Sequence, residues 1–402
     1  MRLPPLVVLL LLLPAFAGAA DWPCWRGPQR NGISTETGWS DQWAASGPPV
    51  LWKASVGVGF SSMAVAKGRL VTLGNTDNKD TVVCLDAESG KKLWSHTYDA
   101  PLEDKLFEGG PTATPTIDDE RVYTLSRWGD VFCFDAATGK VVWTKNVAKE
   151  ASIRVPGWGF GGSPVVHGET LLLNVGEAGM ALDKRTGKLL WSSPDKDAGY
   201  SSPLPFKRGD DWLAVFSSED AYVAVNIKDG KEVWSARWLT RFGLNAAEPI
   251  VVDDTLFVTS GYGKGCALFK TSDDKEPAEL WRNRNLRCQF NSCVLLDGCL
   301  YGIDGDTTTK TFLKCVELKS GDVRWSQEGF GTGAVMAADG KLIVLSVKGE
   351  LSVGKASTDG FKPTATAKVV EGKCWTVPVL ANGRIYCRNA VGDLICLDVR
   401  KK

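Results

Sequence analysis

Residues 109–143, GGPTATPTIDDERVYTLSRWGDVFCFDAATGKVVW, read as one structural unit. Small residues between Pro111 and Pro115 lead into a short strand, and the turn Asp118-Asp119-Glu120 hands over to a second, VYTLS. Gly129-Asp130 turns the chain into VFCFD, and Ala137-Thr138-Gly139-Lys140 turns it into VVW. Strands rich in Val, Tyr, Phe and Thr between Gly/Asp clusters mark an antiparallel meander. Such a unit buries both faces only when copies of itself stack against it.

The chain supplies those copies: CLDAESGKKLW (84–94), CFDAATGKVVW (133–143), ALDKRTGKLLW (181–191), AVNIKDGKEVW (224–234), ALFKTSDDKEPAELW (267–281) and CVELKSGDVRW (315–325). Steps from Trp94 to Trp325 average about 46 residues, the length of a four-stranded propeller blade. A seventh unit keeps its strands, with Ala367 where the Trp is expected. The eighth, WTVPVLANGRIYCRNAVGDLICLDVR, stops before a fourth strand, and PPVLWKASVG with Trp52 reads as that strand. Joining the two closes the ring and removes both open sheet edges. The expected fold is all-β, a single eight-bladed β-propeller of four-stranded antiparallel blades over residues 48–402.

Ahead of it, residues 1–20 carry Arg2, an apolar core and a small-residue exit, the pattern of a cleaved secretory signal. The protein is therefore expected to be periplasmic or extracellular. Residues 21–47 hold four Trp without strand periodicity and read as a strap over the fold. With 47 basic and 47 acidic residues there is no basic field to attract nucleic acid. The odd count of eleven Cys leaves at least one unpaired. Cys84, Cys133, Cys315 and Cys396 share one repeat position and read as buried small hydrophobes. A bridge among Cys266, Cys288, Cys293 and Cys299 is left open.

The starts of the inner strands align as SSM (61–63), ATP (113–115), GSP (162–164), SSP (201–203), AEP (247–249), NSC (291–293), GAV (333–335) and WTVP (375–378). Small residues suit eight strands converging on one axis, and Glu248 breaks that register. The loops around it carry Arg154, Trp158, Phe160, Arg241, Asn245, Arg284, Arg287, Gln289, Asn291 and Trp375. Of these, Arg154, Trp158, Arg241, Asn245, Arg287, Asn291 and Trp375 with Glu248 form the candidate ligand site at a channel mouth. The structural reading of the same residues is an Arg–Glu network that keeps a partly buried carboxylate ionised. No catalytic residue is assigned. His96 and His167 are the only histidines, read at turns or strand ends, away from any nucleophile or metal constellation. The Gly-rich run 157–162 precedes no helix and fails as a phosphate loop.

The AxDxxTGxxxW pattern, in six copies, resembles the pyrroloquinoline-quinone (PQQ)-type propeller repeat. The eight-blade arrangement is similar to the BamB family of outer-membrane assembly lipoproteins. That resemblance implies structural roles for the repeat tryptophans Trp94, Trp143, Trp191, Trp234, Trp281 and Trp325, each packed across a blade junction on a Gly-containing peptide. Trp52 joins them on the closing strand. The expected protein is an exported, monomeric, non-catalytic binding or scaffold propeller with a protein or peptide partner in the cell envelope, and a part in envelope-protein assembly is what the resemblance implies. The lipid-anchor Cys of such lipoproteins is missing here. A PQQ-dependent oxidoreductase and a carbohydrate- or small-ligand-binding propeller are the alternatives. Enzymes of similar repeat hold PQQ over a vicinal Cys-Cys disulfide, beside calcium and opposite a Trp platform. This sequence has no Cys-Cys pair, so no cofactor is expected. Glu248 and Asn291 as calcium ligands, with Trp158 or Trp375 as platform, belong to the alternative.

Overall fold

The computed structural model describes residues 20–104, 107–271 and 276–401. The expected export signal lies outside them apart from Ala20. Eight sheets form the ring. Blade 1 is Ala64–Ala66, Arg69–Thr76, Lys79–Asp86 and Lys92–Asp99, from channel to rim. Its inner strand is buried throughout and its outer strand only in part, because the three inner strands lie between neighbouring blades while the outermost meets solvent. Blades 2 to 7 begin at Thr116–Asp118, Val165–His167, Leu204–Arg208, Ile250–Val252, Val294–Leu296 and Ala334–Ala338. Blade 8 contributes Val379–Ala381, Arg384–Arg388 and Asp393–Asp398. Its fourth strand is Val50–Ser55, antiparallel to the last, with Trp52 opposite Cys396. The ring is closed by its own N-terminal strand, as the repeat pattern requires.

One contact recurs from blade to blade. The Trp94 indole N–H donates to Ala136 O at 2.9 Å, Trp143 to Lys184 O at 3.1 Å, Trp191 to Ile227 O at 2.8 Å and Trp281 to Leu318 O at 3.1 Å. Trp325 donates to Ser357 O, and Trp52 closes the circle on Ala87 O at 3.2 Å. At Trp52, Trp94, Trp143, Trp191 and Trp281 the indole packs on the turn glycine of the next blade, whereas Trp234 departs from the expected contact, fully buried with an N–H that finds no partner among the described residues. A Cβ at Gly139 would stand 2.6 Å from the Trp94 ring, and the backbone there has φ +71, so space and conformation both require glycine.

The junction of blades 7 and 8 has no Trp. Val353 pairs with Ala365 just before the bulge at Gly354, the place that Cys84 and Trp94 hold in blade 1. The missing Trp therefore corresponds to Ala365, two residues before the expected Ala367, because strand pairing rather than spacing from Trp325 sets the register. The strap fills the gap. Ser40 N–H donates to Val399 O at 2.6 Å, the carbonyl an indole would otherwise reach, and buried Trp39 joins the core beside Val353 and Leu397.

At the seam of blades 8 and 1, fully buried Arg388 donates to Ser61 O, Thr72 Oγ1, Leu73 O and Gly57 O within 2.6–3.0 Å. Burial pushes its pKa down to about 9. All eleven cysteines are buried and unpaired, so the bridge left open among Cys266, Cys288, Cys293 and Cys299 is not formed. His96 lies within an outer strand against Phe132 and Phe134 rather than at a turn. His167 ends an inner strand against Trp212.

Candidate functional site

The inner strands all run in one direction, so their leading loops share one end of the channel and their hairpin turns the other. The small register at their starts is a belt of hydrogen bonds. Ser62 N–H donates to Thr114 Oγ1 at 3.0 Å, Thr114 N–H to Ser163 Oγ at 2.9 Å, and Ser163 N–H to Ser202 Oγ at 2.9 Å. Ser202 N–H donates to Glu248 Oε1 at 2.9 Å, and Glu248 N–H to Ser292 Oγ at 2.8 Å. Asn291 carries the belt to Gly333 O at 2.7 Å, and the Ser62 hydroxyl returns it to Val377 O. Hydroxyls satisfy buried peptide groups that neighbouring inner strands, not being paired, leave open. Glu248 takes the acceptor's place in one blade and keeps spare capacity toward the channel.

The strap uses that capacity. Trp22 exchanges two backbone hydrogen bonds with Val65, Pro23 O accepts from Ile117 N–H, and Arg30 donates to Val166 O. Ile33–Ser34 pairs in parallel with Ala337 and Ala338, and Glu36 accepts from Gly383 N–H at 2.9 Å. Between these anchors Trp25 reaches inward and donates its indole N–H to Glu248 Oε1 at 2.7 Å. Arg26, buried beside it, donates to Asn31 O and Cys293 O, each at 2.9 Å. Burial pushes the Glu248 carboxyl up to about 7, against the Ser202 N–H, the Arg26 charge and the Trp25 N–H. The cavity left among Cys24, Trp25, Arg26, Arg30 and Glu248 measures about 10 Å³, room for about one water. This end of the channel is plugged by the chain itself.

The opposite mouth is aromatic. Phe290, Trp375, Phe60, Phe107 and Trp158 follow one another with ring centroids 4.8, 5.1, 5.7 and 5.8 Å apart, each ring partly exposed. Lys373 lies 4.4 Å over the Trp375 ring and pairs with Glu108 at 2.8 Å, and the Trp375 indole donates to Thr332 Oγ1. Tyr200 continues the rim, its hydroxyl accepting from Trp158 N–H at 3.4 Å.

Of the residues singled out from sequence, Trp158 and Trp375 meet here through Phe107 and Phe60. Glu248 and Asn291 lie deeper, in the belt. Asn245 is buried, donating to Ser218 O and Trp238 O. Arg287 holds buried Asp304 through three hydrogen bonds, one from its backbone N–H and two from its guanidinium, with Lys314 at 2.8 Å. Burial pushes that carboxyl up, yet the two cations hold it below the usual range. Arg154 pairs with Asp197 at the exposed rim, and Arg241 with Arg284 lines a separate cleft. Sequence reading passed over Phe60, Phe107, Tyr200 and Phe290. The available signal was an aromatic directly before the small register, as in Phe60-Ser61, Tyr200-Ser201, Phe290-Asn291 and Trp375-Thr376.

These features define an eight-bladed propeller of the PQQ-like repeat type with a strap-plugged channel. A family model described as outer membrane protein assembly factor BamB matches residues 35–112 and 78–327, and the chain belongs to that family. It is 23% identical over 377 residues to outer membrane protein assembly factor BamB of Yersinia pestis, covering 86% of this chain and 88% of that one. It is 25% identical to tetrathionate hydrolase of Acidithiobacillus ferrooxidans over 53% of this chain, and that match spans 44% of the hydrolase. Among solved structures, BamB from Moraxella catarrhalis superposes with TM-score 0.63 at 16% identity, over 87% of this chain and 99% of that one. Quinohemoprotein alcohol dehydrogenase from Comamonas testosteroni gives 0.69 at 14% identity, over 96% and 82%. At such identities the two superpositions establish the fold alone.

Proposed function

We propose that this chain is an exported, non-catalytic binding propeller of the cell envelope, holding a protein or peptide partner at the aromatic mouth during envelope-protein assembly. The observation that carries this reading is the arc from Phe290 to Trp158. Half-exposed aromatic rings beside a few charges favour peptide and protein recognition, where an amphipathic ring supplies large contact area at low entropic cost. The naming of its relatives as outer membrane protein assembly factors supports an envelope location and a protein partner.

The second reading, a PQQ-dependent oxidoreductase, draws support from the likeness to a quinohemoprotein dehydrogenase. The residues around Glu248 fit the cofactor poorly. Trp25 and Arg26 fill the channel there, and about 10 Å³ of space remains.

A photo-crosslinking residue at position 375, compared with one at exposed Leu190 on an outer strand, tests the binding reading in intact cells. Crosslinks to envelope proteins from position 375, absent from 190, are expected. Equal yields from both positions would place capture elsewhere.

A further inference from the structure

Away from the mouth arc, the rim between blades 4 and 5 holds a cleft of about 440 Å³ lined by Arg241, Tyr262, Lys264, Arg282, Asn283 and Arg284. Four of these side chains are cations, in a chain whose formal charge is zero. One acid answers them: Glu279 bonds Arg282 through Nε at 2.8 Å. Among the described residues no ion pair is formed by Arg241, Lys264 or Arg284. The nearby carboxylate of Asp306 is occupied, accepting from Tyr262 N–H, Thr308 N–H and the Thr308 hydroxyl.

Two of the cations are also held in place by a buried ring. Lys264 Nζ lies 4.5 Å from the Trp238 ring and Arg282 Cζ 4.9 Å from the same ring, while Arg241 lies 5.0 Å over Phe242. Trp238 is itself fully buried and donates to Ser260 Oγ, so this platform is fixed. Like charges gathered on one rigid ring repel each other, and burial together with the Arg282 charge pushes the Lys264 pKa down. A bound anion relieves both costs. Two unpaired guanidinium forks beside an ammonium match an oxyanion carrying more than one charge better than a single carboxylate.

We propose that this cleft is a binding site for phosphate-bearing ligands, with Arg241, Lys264 and Arg284 as direct contacts and Trp238 as the support of Lys264. The shared chemistry is a doubly charged phosphate, free in solution or on a lipid headgroup. The site is independent of partner capture at the mouth, and its failure would leave that reading untouched.

The test is calorimetric titration of the intact protein with pyrophosphate at low and high salt. It is paired with co-sedimentation on vesicles of phosphatidylcholine containing phosphatidic acid, whose phosphate is a monoester, or of phosphatidylcholine alone. Saturable pyrophosphate binding that weakens with salt and falls at least tenfold in the Arg241→Gln/Arg284→Gln variant is expected. Lys264→Met, which keeps an apolar chain over Trp238, should show the same loss at an unchanged melting temperature. Co-sedimentation with the phosphatidic acid vesicles alone, lost in the same variants, identifies the lipid source. Pyrophosphate binding without co-sedimentation identifies a soluble one. Absence of both, or binding that the variants leave intact, overturns the proposal.

Discussion

At the plugged end of the channel Trp25 and Arg26 meet Glu248 around a cavity with room for about one water, where the Trp25 N–H bonds Glu248 and Arg26 bonds Arg30 O, Asn31 O and Cys293 O. At the mouth, Trp375, Phe60 and Phe107 keep part of each ring exposed, with Lys373 and Glu108 paired at their edge. Both ends are built on the same inner strands. The difference is what covers them: a segment of the chain itself at one end, nothing within the described chain at the other. An end whose partners are internal is built for stability, whereas half-exposed rings leave apolar area to be covered by something else.

Deleting residues 21–47 attacks the plugged end and should have the largest effect. Trp22 and Trp39 are each 2% exposed, and Trp25 is partly buried. At about 2 kcal/mol per buried indole the loss reaches ~5 kcal/mol, comparable with the whole stability of many domains. The truncated protein should aggregate or lose its cooperative urea transition, and a monomer with an unchanged midpoint would show that the strap is dispensable.

Glu248→Gln sharpens the comparison through pH. The folded carboxyl holds its proton up to about pH 7, whereas the unfolded chain releases it near the ordinary glutamate value. Between those values the folded state binds more protons, so stability falls as pH rises through the interval. Asp80, pushed up to about 6 chiefly by burial, adds in the same direction. Urea midpoints from pH 4 to 8 should decline in the native protein and decline less in the variant. Parallel curves would mean that Glu248 is ionised throughout.

Mouth substitutions should cost less stability and more function. Trp375→Ala and Trp158→Ala each remove a half-exposed ring, at roughly 1–2 kcal/mol, while crosslinked partner yield should drop at least tenfold. A drop in stability with undiminished yield would make the arc structural. The smallest effect is expected from added PQQ and calcium, a melting shift below about 1 °C. Micromolar binding would instead contribute about 2.7 kcal/mol at a hundredfold excess over Kd and promote the oxidoreductase reading.

The site was less legible than the fold. Glu248 stood out as the single carboxylate in its register, but its partners Trp25 and Arg26 lie 223 and 222 positions earlier in the chain, beyond any local pattern. The arginines grouped with it by loop order diverge: Arg287 turns to Asp304, Arg154 to Asp197, and Arg241 to a cleft of its own. Loop order around a ring fixes which end a residue occupies, not where its side chain points.

By itself the sequence determined the blade count, the four-strand unit and the closure through Trp52, because these rest on periodic local signals: alternation, turn chemistry and a Trp recurring about every 46 residues. Tertiary structure alone decided the hydroxyl belt, the plug, the substitution of Ser40 for a missing indole, and the burial of Arg388 at the seam. Each of these is a contact between residues far apart in the chain. Each exists because closing the ring brings together polar groups that no single blade can satisfy.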